Sequence, residues 1–266
     1  MWDLDHQELP HLPRCWLTIG AFDGVHMGHQ KMIRFLVAGA REQRQPAVAL
    51  TFHPHPQVVL KAIQSPYYLT SPGKRAQLLR ALGVDYVFTL PFDENFAQQS
   101  AREFIDKIHA RLHPSQLVIG QDFALGKDRG GNPETLKALG AEYDFHVTLI
   151  DPEMEDGEVV SSSRIRRLVS TGELSRASQL LCRAYAVVGR LTAVEPTHAG
   201  WQFLPWEGCL LPPPGDYPVR LAAQAEQAFI LSVGKTVHHL RPKARESLFI
   251  DTDDEHEIIF IAQHQA

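Results

Sequence analysis

The sequence predicts an α/β fold: a mostly parallel sheet covered by helices over the first two-thirds, then a small antiparallel, barrel-like β domain. Short apolar runs alternate with amphipathic stretches up to about residue 185, the pattern of a parallel sheet with crossover helices. After Tyr185 the chain turns to short β-rich runs broken by Gly, Pro and charged turns, with no helix-length periodic segment. With 266 residues, 44% of them hydrophobic and 21% charged, the chain has core enough for one large domain or two modest ones. The expected division is 1–184 and 185–266.

Strands are predicted at Trp16–Gly20, Ala47–Phe52, Tyr86–Leu90, Leu117–Gly120 and His146–Ile150. Helices are predicted at Gly28–Arg44, Ser71–Leu82, Ser100–Leu112 and Pro133–Gly140. In "SAREFIDKIHARL", Ser100 serves as N-cap with Glu103 three residues on, and Phe104, Ile105 and Ile108 share one face. The later strands are read from "AYAVVGRLTAV", "WQFLPW", "YPVRLAA", "QAFILSVG", "TVHHLR", "SLFID" and "HEIIFIAQ". Ligands of a parallel sheet gather at the carboxyl ends of its strands, which directs attention to the turns there.

A net charge of −5 argues against a general nucleic-acid or membrane binder. The start "MWDLDHQELPHLPR" is polar and acidic, unlike a signal peptide, and no apolar run approaches membrane-spanning length. Cys15, Cys182 and Cys209 have neither metal-ligand nor redox spacing, so packing is the expected role of each and a cytoplasmic location is expected. No protein partner is legible.

The stretch "LTIGAFDGVHMGHQKMIRFL" packs a strand, a Gly-flanked turn and a helix into residues 17–36. A helix N-terminus offers unpaired N–H groups and the positive end of the macrodipole to phosphate. Gly20, Gly24 and Gly28 are expected to let the backbone turn tightly and approach a ligand. His26 and His29, three residues apart, are placed to face one pocket and donate to phosphate oxygens that gain charge. Gly-rich strand–helix turns are also common, and His29 alone could be an ordinary polar helix residue. A second segment, "GEVVSSSRIRRL", sets three serines directly before a basic helix start. Hydroxyls, first-turn amides and an arginine fork suit a triphosphate. By itself such a segment is more commonly an N-cap followed by a solvated basic face. Neither GxxxxGK[ST] nor G-x-G-x-x-G stands after the first strand.

"GAFDGVHMGH" with "VSSSRIR" resembles the HxGH and [I/V]SSTxxR motifs of adenylyltransferase-type nucleotidyltransferases. "TFHPHP", "PFDENFAQQSAREFI", "VIGQDFALGKDRGGN" and "GELSRASQLLCRAY" narrow the resemblance to bacterial FAD synthetase, a module that is fused to a riboflavin kinase in that family. It covers about residues 15–185, with the motifs in order. The resemblance implies a Rossmann-like nucleotidyltransferase domain that transfers AMP from ATP to FMN, giving FAD and pyrophosphate. His26, His29 and Arg166 would then be catalytic. Ser162 and Ser163, with the neighbouring Arg164, would cradle ATP phosphates, while Gly20, Ala21, Phe22 and Gly28 lie along the nucleotide. Phe52, His53, Pro54, Asp122, Phe123 and Arg129 would face the flavin.

FMN's phosphate is largely anionic at neutral pH, so the attacking oxygen needs no strong base, and positioning plus charge neutralisation suffice. Mg²⁺ would arrive with ATP, held mostly by phosphate oxygens and water. His53 and His55 are read as part of a rigid proline turn rather than a metal pair, and Asp23 as a turn residue. Ser163 stands where the family has threonine, and Cys182 and Ala184 stand where it has Gly and Pro. No G-x-PTAN segment follows, which implies a β domain without riboflavin kinase activity. Two alternatives stay open: transfer to another flavin or phosphate acceptor, and a non-catalytic flavin- or nucleotide-binding protein.

Overall fold

The structure is a computed structural model that describes residues 10–64, 66–194, 200–243, 250 and 254–261. The chain forms two compact units, one from Met1–Ile63 with Pro72–Val159, the other from Gln64–Ser71 with Val160–Ala266.

The first unit holds β1 (Cys15–Ile19), α1 (Met27–Glu42), β2 (Ala47–His53), α2 (Pro56–Leu60), α3 (Pro72–Ala81) and β3 (Tyr86–Pro91). After these come α4 (Glu94–Ala97), α5 (Ala101–Leu112), β4 (Pro114–Gly120), α6 (Pro133–Tyr143) and β5 (His146–Ile150). The strands pair in parallel in the order β3-β2-β1-β4-β5. Strand order reverses between β1 and β4, so the crevice beyond their carboxyl ends is the topological switch point.

Alternation along the strands gives each face of the sheet its own core. Leu17, Ile19, Leu50, Leu90 and Ile119 pack against Phe104, Ile105 and Ile108 of α5 and Leu136 of α6. On the other face Trp16, Ala47, Ala49 and Val118 meet Met32, Ile33 and Leu36 of α1 and Leu79 of α3. The capping box at α5 forms as the sequence predicts: the Ser100 amide donates to Glu103 Oε2 at 2.7 Å, and the Glu103 amide to Ser100 Oγ at 3.2 Å. All five strands and four helices predicted here form, with no end moved by more than three residues. The one-turn helices α2 and α4 are too short to leave a periodic signal. A hairpin, β6 (Met154–Glu155) and β7 (Glu158–Val159), also went unread, although its Asp156-Gly157 turn, with φ of 55° and 76°, carries the dipeptide such turns favour.

The second unit begins with α7 (Ser162–Ser170) and α8 (Leu174–Leu181). Strands follow from Ala186: β8 (Ala186–Ala193), β9 (Trp201–Pro205), β10 (Gly215–Leu221), β11 (Gln224–Val233), β12 (His238–Pro242) and β13 (Glu255–Phe260). They close an antiparallel barrel in the order β10-β11-β12-β9-β8-β13. Inward Leu191, Phe203, Val219, Phe229, Leu231, Leu240 and Ile258 fill it. The predicted "SLFID" strand lies outside the described residues but for Ile250.

Cys15 and Cys209 pack in cores as expected, whereas Cys182 is exposed. Cys182 takes φ 53° at the end of α8, a left-handed conformation that favours glycine. Among the described residues no helix is long and apolar enough to cross a membrane.

Candidate nucleotide and flavin site

The turn after β1 is tightly wound. Phe22, Gly24 and Val25 all adopt positive φ, at 48°, 82° and 42°, a strain that persists only where surroundings hold it. The Phe22 ring supplies part of that hold. It is 1% exposed, sits in the α1-side core and meets the His29 ring edge-on at 5.2 Å. Its side chain is therefore packing support for His29. A Cβ on Gly20 would stand 3.0 Å from Phe22 Cζ, so a side chain there would need the ring to give by a few tenths of an ångström. Gly28 lies inside α1, where an added Cβ would make only ordinary contacts, the nearest 3.4 Å from the His26 ring. The tight-turn role expected of Gly28 belongs to Gly24.

The structure brings His26 and His29 together. His26, 6% exposed, is the N-cap of α1, and its Nδ1 accepts from the His29 amide at 3.4 Å. The two rings stack with centroids 3.7 Å apart and planes 19° from parallel. Asp23 is fully buried within the same turn.

Arg75 of α3, which the sequence did not single out, braces this turn. Its side chain is 0% exposed; Nη1 donates to the Ala21 carbonyl at 3.0 Å and Nη2 to the Phe52 carbonyl at 2.8 Å. Thr51 Oγ1 also donates to the Ala21 carbonyl, at 3.0 Å. The ends of β1 and β2 are thus tied to one buried guanidinium.

At the switch point a cavity of about 330 Å³ opens, lined among others by Gly20, Ala21, Phe52, Asp122, Phe123 and Arg129. Six residues proposed from widely spaced motifs so share one surface. Phe92, Phe96 and Phe104, not singled out from the sequence, complete its aromatic wall; Phe52 stands 5.7 Å from both Phe92 and Phe96 in edge-on geometry. The loop after β4 is fastened by Arg129 Nη2 donating to the Asp122 carbonyl at 3.1 Å and the Lys127 amide to the Gln99 carbonyl at 2.8 Å. His53 and Pro54 do not line the cavity. His53 ends β2 and Pro54 follows it, and burial together with the charge of Arg75 holds the His53 imidazole below its ordinary pKa. His55 lines the cavity and caps α2, its Nδ1 accepting from the Gln57 amide at 3.1 Å.

In the second unit Ser161 caps α7, its Oγ accepting from the Arg164 amide at 3.2 Å. Ser162 and Ser163 therefore stand in the first helical turn rather than before it, where backbone amides point outward to an anion. Arg164 is buried and Arg166 half-buried. Arg166 Nε donates to the Tyr67 carbonyl at 2.9 Å, and its guanidinium lies 3.8 Å over the Tyr67 ring. Tyr67 left no signal beyond being one of two adjacent aromatics. Among the described residues no three His, Cys, Asp or Glu side chains gather to hold a metal ion.

The sequence model of the FAD synthetase family matches residues 9–164, more than half of the chain. The chain is 36% identical over 174 residues to the bifunctional riboflavin kinase/FMN adenylyltransferase of Listeria monocytogenes, covering 65% of this chain and 55% of that one. It is 34% identical over 178 residues to the protein of the same name from Escherichia coli K12, covering 66% and 57%. The matched region spans just over half the length of these relatives. A crystal structure named a macrolide-efflux protein from Streptococcus pneumoniae superposes with a TM-score of 0.80 at 22% identity, covering 100% of this chain and 92% of the other, and shares the fold. On the match that runs from the histidine turn to the start of α7, the chain belongs to the FAD synthetase family.

Proposed function

We propose that the protein is an FMN adenylyltransferase. An oxygen of the FMN phosphate attacks the α-phosphorus of ATP, the bond to the bridging oxygen breaks, and pyrophosphate leaves with the electron pair, giving FAD. The observation that carries this reading is the aromatic cavity at the switch point, whose Gly20–Ala21 wall continues into the turn bearing His26 and His29. A flat apolar ring system suits such a wall, and its volume is that of a small-ligand site. The names of the two relatives point the same way.

In this reading Phe52, Phe123 and the Phe92–Phe96 pair hold the flavin ring, and the Asp122–Arg129 loop closes around it. His53 and Pro54 shape the end of β2 instead of touching the ring. His26 and His29 donate to phosphate oxygens on which charge grows as the bond breaks, while Ser162, Ser163 and Arg166 take ATP phosphate oxygens through hydroxyls, amides and the guanidinium fork. Arg164, being buried, supports the first turn of α7. Mg²⁺ enters on the ATP phosphates as part of the substrate. The chain phosphorylates no riboflavin and works in the cytoplasm.

The test is incubation with ATP and Mg²⁺, with FMN and riboflavin as acceptors in parallel. FAD and pyrophosphate from FMN, with riboflavin left unchanged, is the expected result. Pyrophosphate released only with a different acceptor, or FMN bound without turnover, would overturn it.

A further inference from the structure

The segment Tyr67–Tyr68 comes early in the chain yet belongs to the second unit. Both of its amides donate to one carbonyl, that of Gly208, at 2.8 and 2.9 Å. Tyr68 forms a parallel bridge with Cys209, its carbonyl accepts from the Leu210 amide at 2.8 Å, and its ring meets Trp206 edge-on at 5.3 Å. The 206–210 turn leaves β9 of the barrel. It is held there by the Trp206 amide, which donates to the Val188 carbonyl of β8 at 2.8 Å, and by the Cys209 amide on the Trp206 carbonyl at 3.0 Å.

The far side of this same segment is what Arg166 rests on. Arg166 Nε donates to the Tyr67 carbonyl, and the guanidinium carbon lies 3.8 Å from the centroid of the Tyr67 ring. An arginine on a helix surface samples many rotamers. One hydrogen bond at Nε and one ring contact together fix the guanidinium plane, and with it the directions of the Nη donors. The contacts run without a break from barrel strands through the 206–210 turn to Tyr67 and then to Arg166.

We propose that this turn of the barrel is a positioning element for Arg166, acting through Tyr67. The inference rests on the reading of Arg166 as a phosphate-binding residue and goes beyond it by giving the barrel a part in nucleotide binding. Toward Arg166, Tyr67 provides a ring face and a backbone carbonyl, so the side chain's part in this contact is the ring.

The experiment measures MgATP binding to the full chain by titration calorimetry. Arg166→Ala, the reference, weakens binding. Tyr67→Leu is expected to weaken it about fivefold, Tyr67→Phe to keep the affinity of the parent chain, and Trp206→Ala to shift it in the direction of Tyr67→Leu. In the Arg166→Ala background Tyr67→Leu is expected to add nothing, because the residue it orients is gone. Full affinity in Tyr67→Leu beside a weakened Arg166→Ala overturns this inference and leaves the assignment of Arg166 intact. Additive losses in the double variant overturn it too, since they mark a general structural role. An unchanged affinity in Arg166→Ala overturns the assignment of Arg166 and the inference with it. Should Trp206→Ala fail to fold, the Leu and Phe variants at Tyr67 decide the matter.

Discussion

Arg75 Nη1 reaches the carbonyl of Ala21 at 3.0 Å from inside a fully buried side chain, while Nη2 holds the carbonyl of Phe52. One guanidinium thereby sets the separation of two strand ends that both line the switch-point cavity. Removing it takes the guanidinium donor from the buried Phe52 carbonyl, at about 1–3 kcal/mol, and leaves the Ala21 carbonyl with Thr51 Oγ1. Arg75→Met is therefore expected to lower the unfolding free energy by about 1–3 kcal/mol, read by urea denaturation. Arg75→Lys, which keeps a donor but not the fork, should recover part of that.

His29 lies between Phe22 and His26, with ring contacts to both. If it donates to charge that develops during transfer, His29→Ala lowers kcat about a hundredfold. Flavin affinity, read by fluorescence quenching, should stay nearly level. Equal losses in both quantities count against a transition-state role.

Phe96 touches Phe52, Phe92 and Phe104 in the cavity wall. Phe96→Ala removes an aromatic face and opens the wall, so flavin binding is expected to weaken about tenfold. MgATP binding should hardly change, which separates a cavity effect from general loosening.

Burial and the charge of Arg75 keep His53 below its ordinary pKa of 6.5. The unfolded chain then takes up this proton before the folded one does. The stabilisation is complete above 6.5, falls as the pH drops below it, and is lost as the pH passes through the folded value. His53→Gln should flatten the loss of denaturation midpoint between pH 7.5 and pH 5.5, about one unit either side of the ordinary value. An identical acid slope in the variant would remove His53 from the effect.

Cysteine reactivity follows burial. Cys182 is exposed, whereas burial raises the Cys15 thiol to about 12 and Cys209 is buried. A maleimide should label Cys182 first in the native protein, with the other two reacting only on unfolding, as read by mass spectrometry.

The parallel sheet was legible because strands buried on both faces read as continuous apolar runs, and because capped helices such as that at Ser100 mark their own beginnings. The barrel was legible as a change of texture after Tyr185. Within the cavity, Asp122, Phe123 and Arg129 were found through motif letters, but Phe92, Phe96 and Phe104 look in sequence like any core aromatics. Arg75 was hidden for another reason. In "SPGKRAQLLRAL" it is one of two adjacent cations at a helix start, and only the fold shows that this one turns inward to two carbonyls. The same holds for Tyr67, whose role depends on contact with residues about a hundred positions away.

Closure of the barrel also bears on association between molecules. Among the described residues every barrel strand has a neighbour on each side, so these strands offer no open edge on which a foreign strand could extend the ladder. Strand addition finds its open edges instead at β3 and β5, the margins of the open sheet, and on the β6–β7 hairpin, while a partner of the barrel strands meets them through side chains and loops.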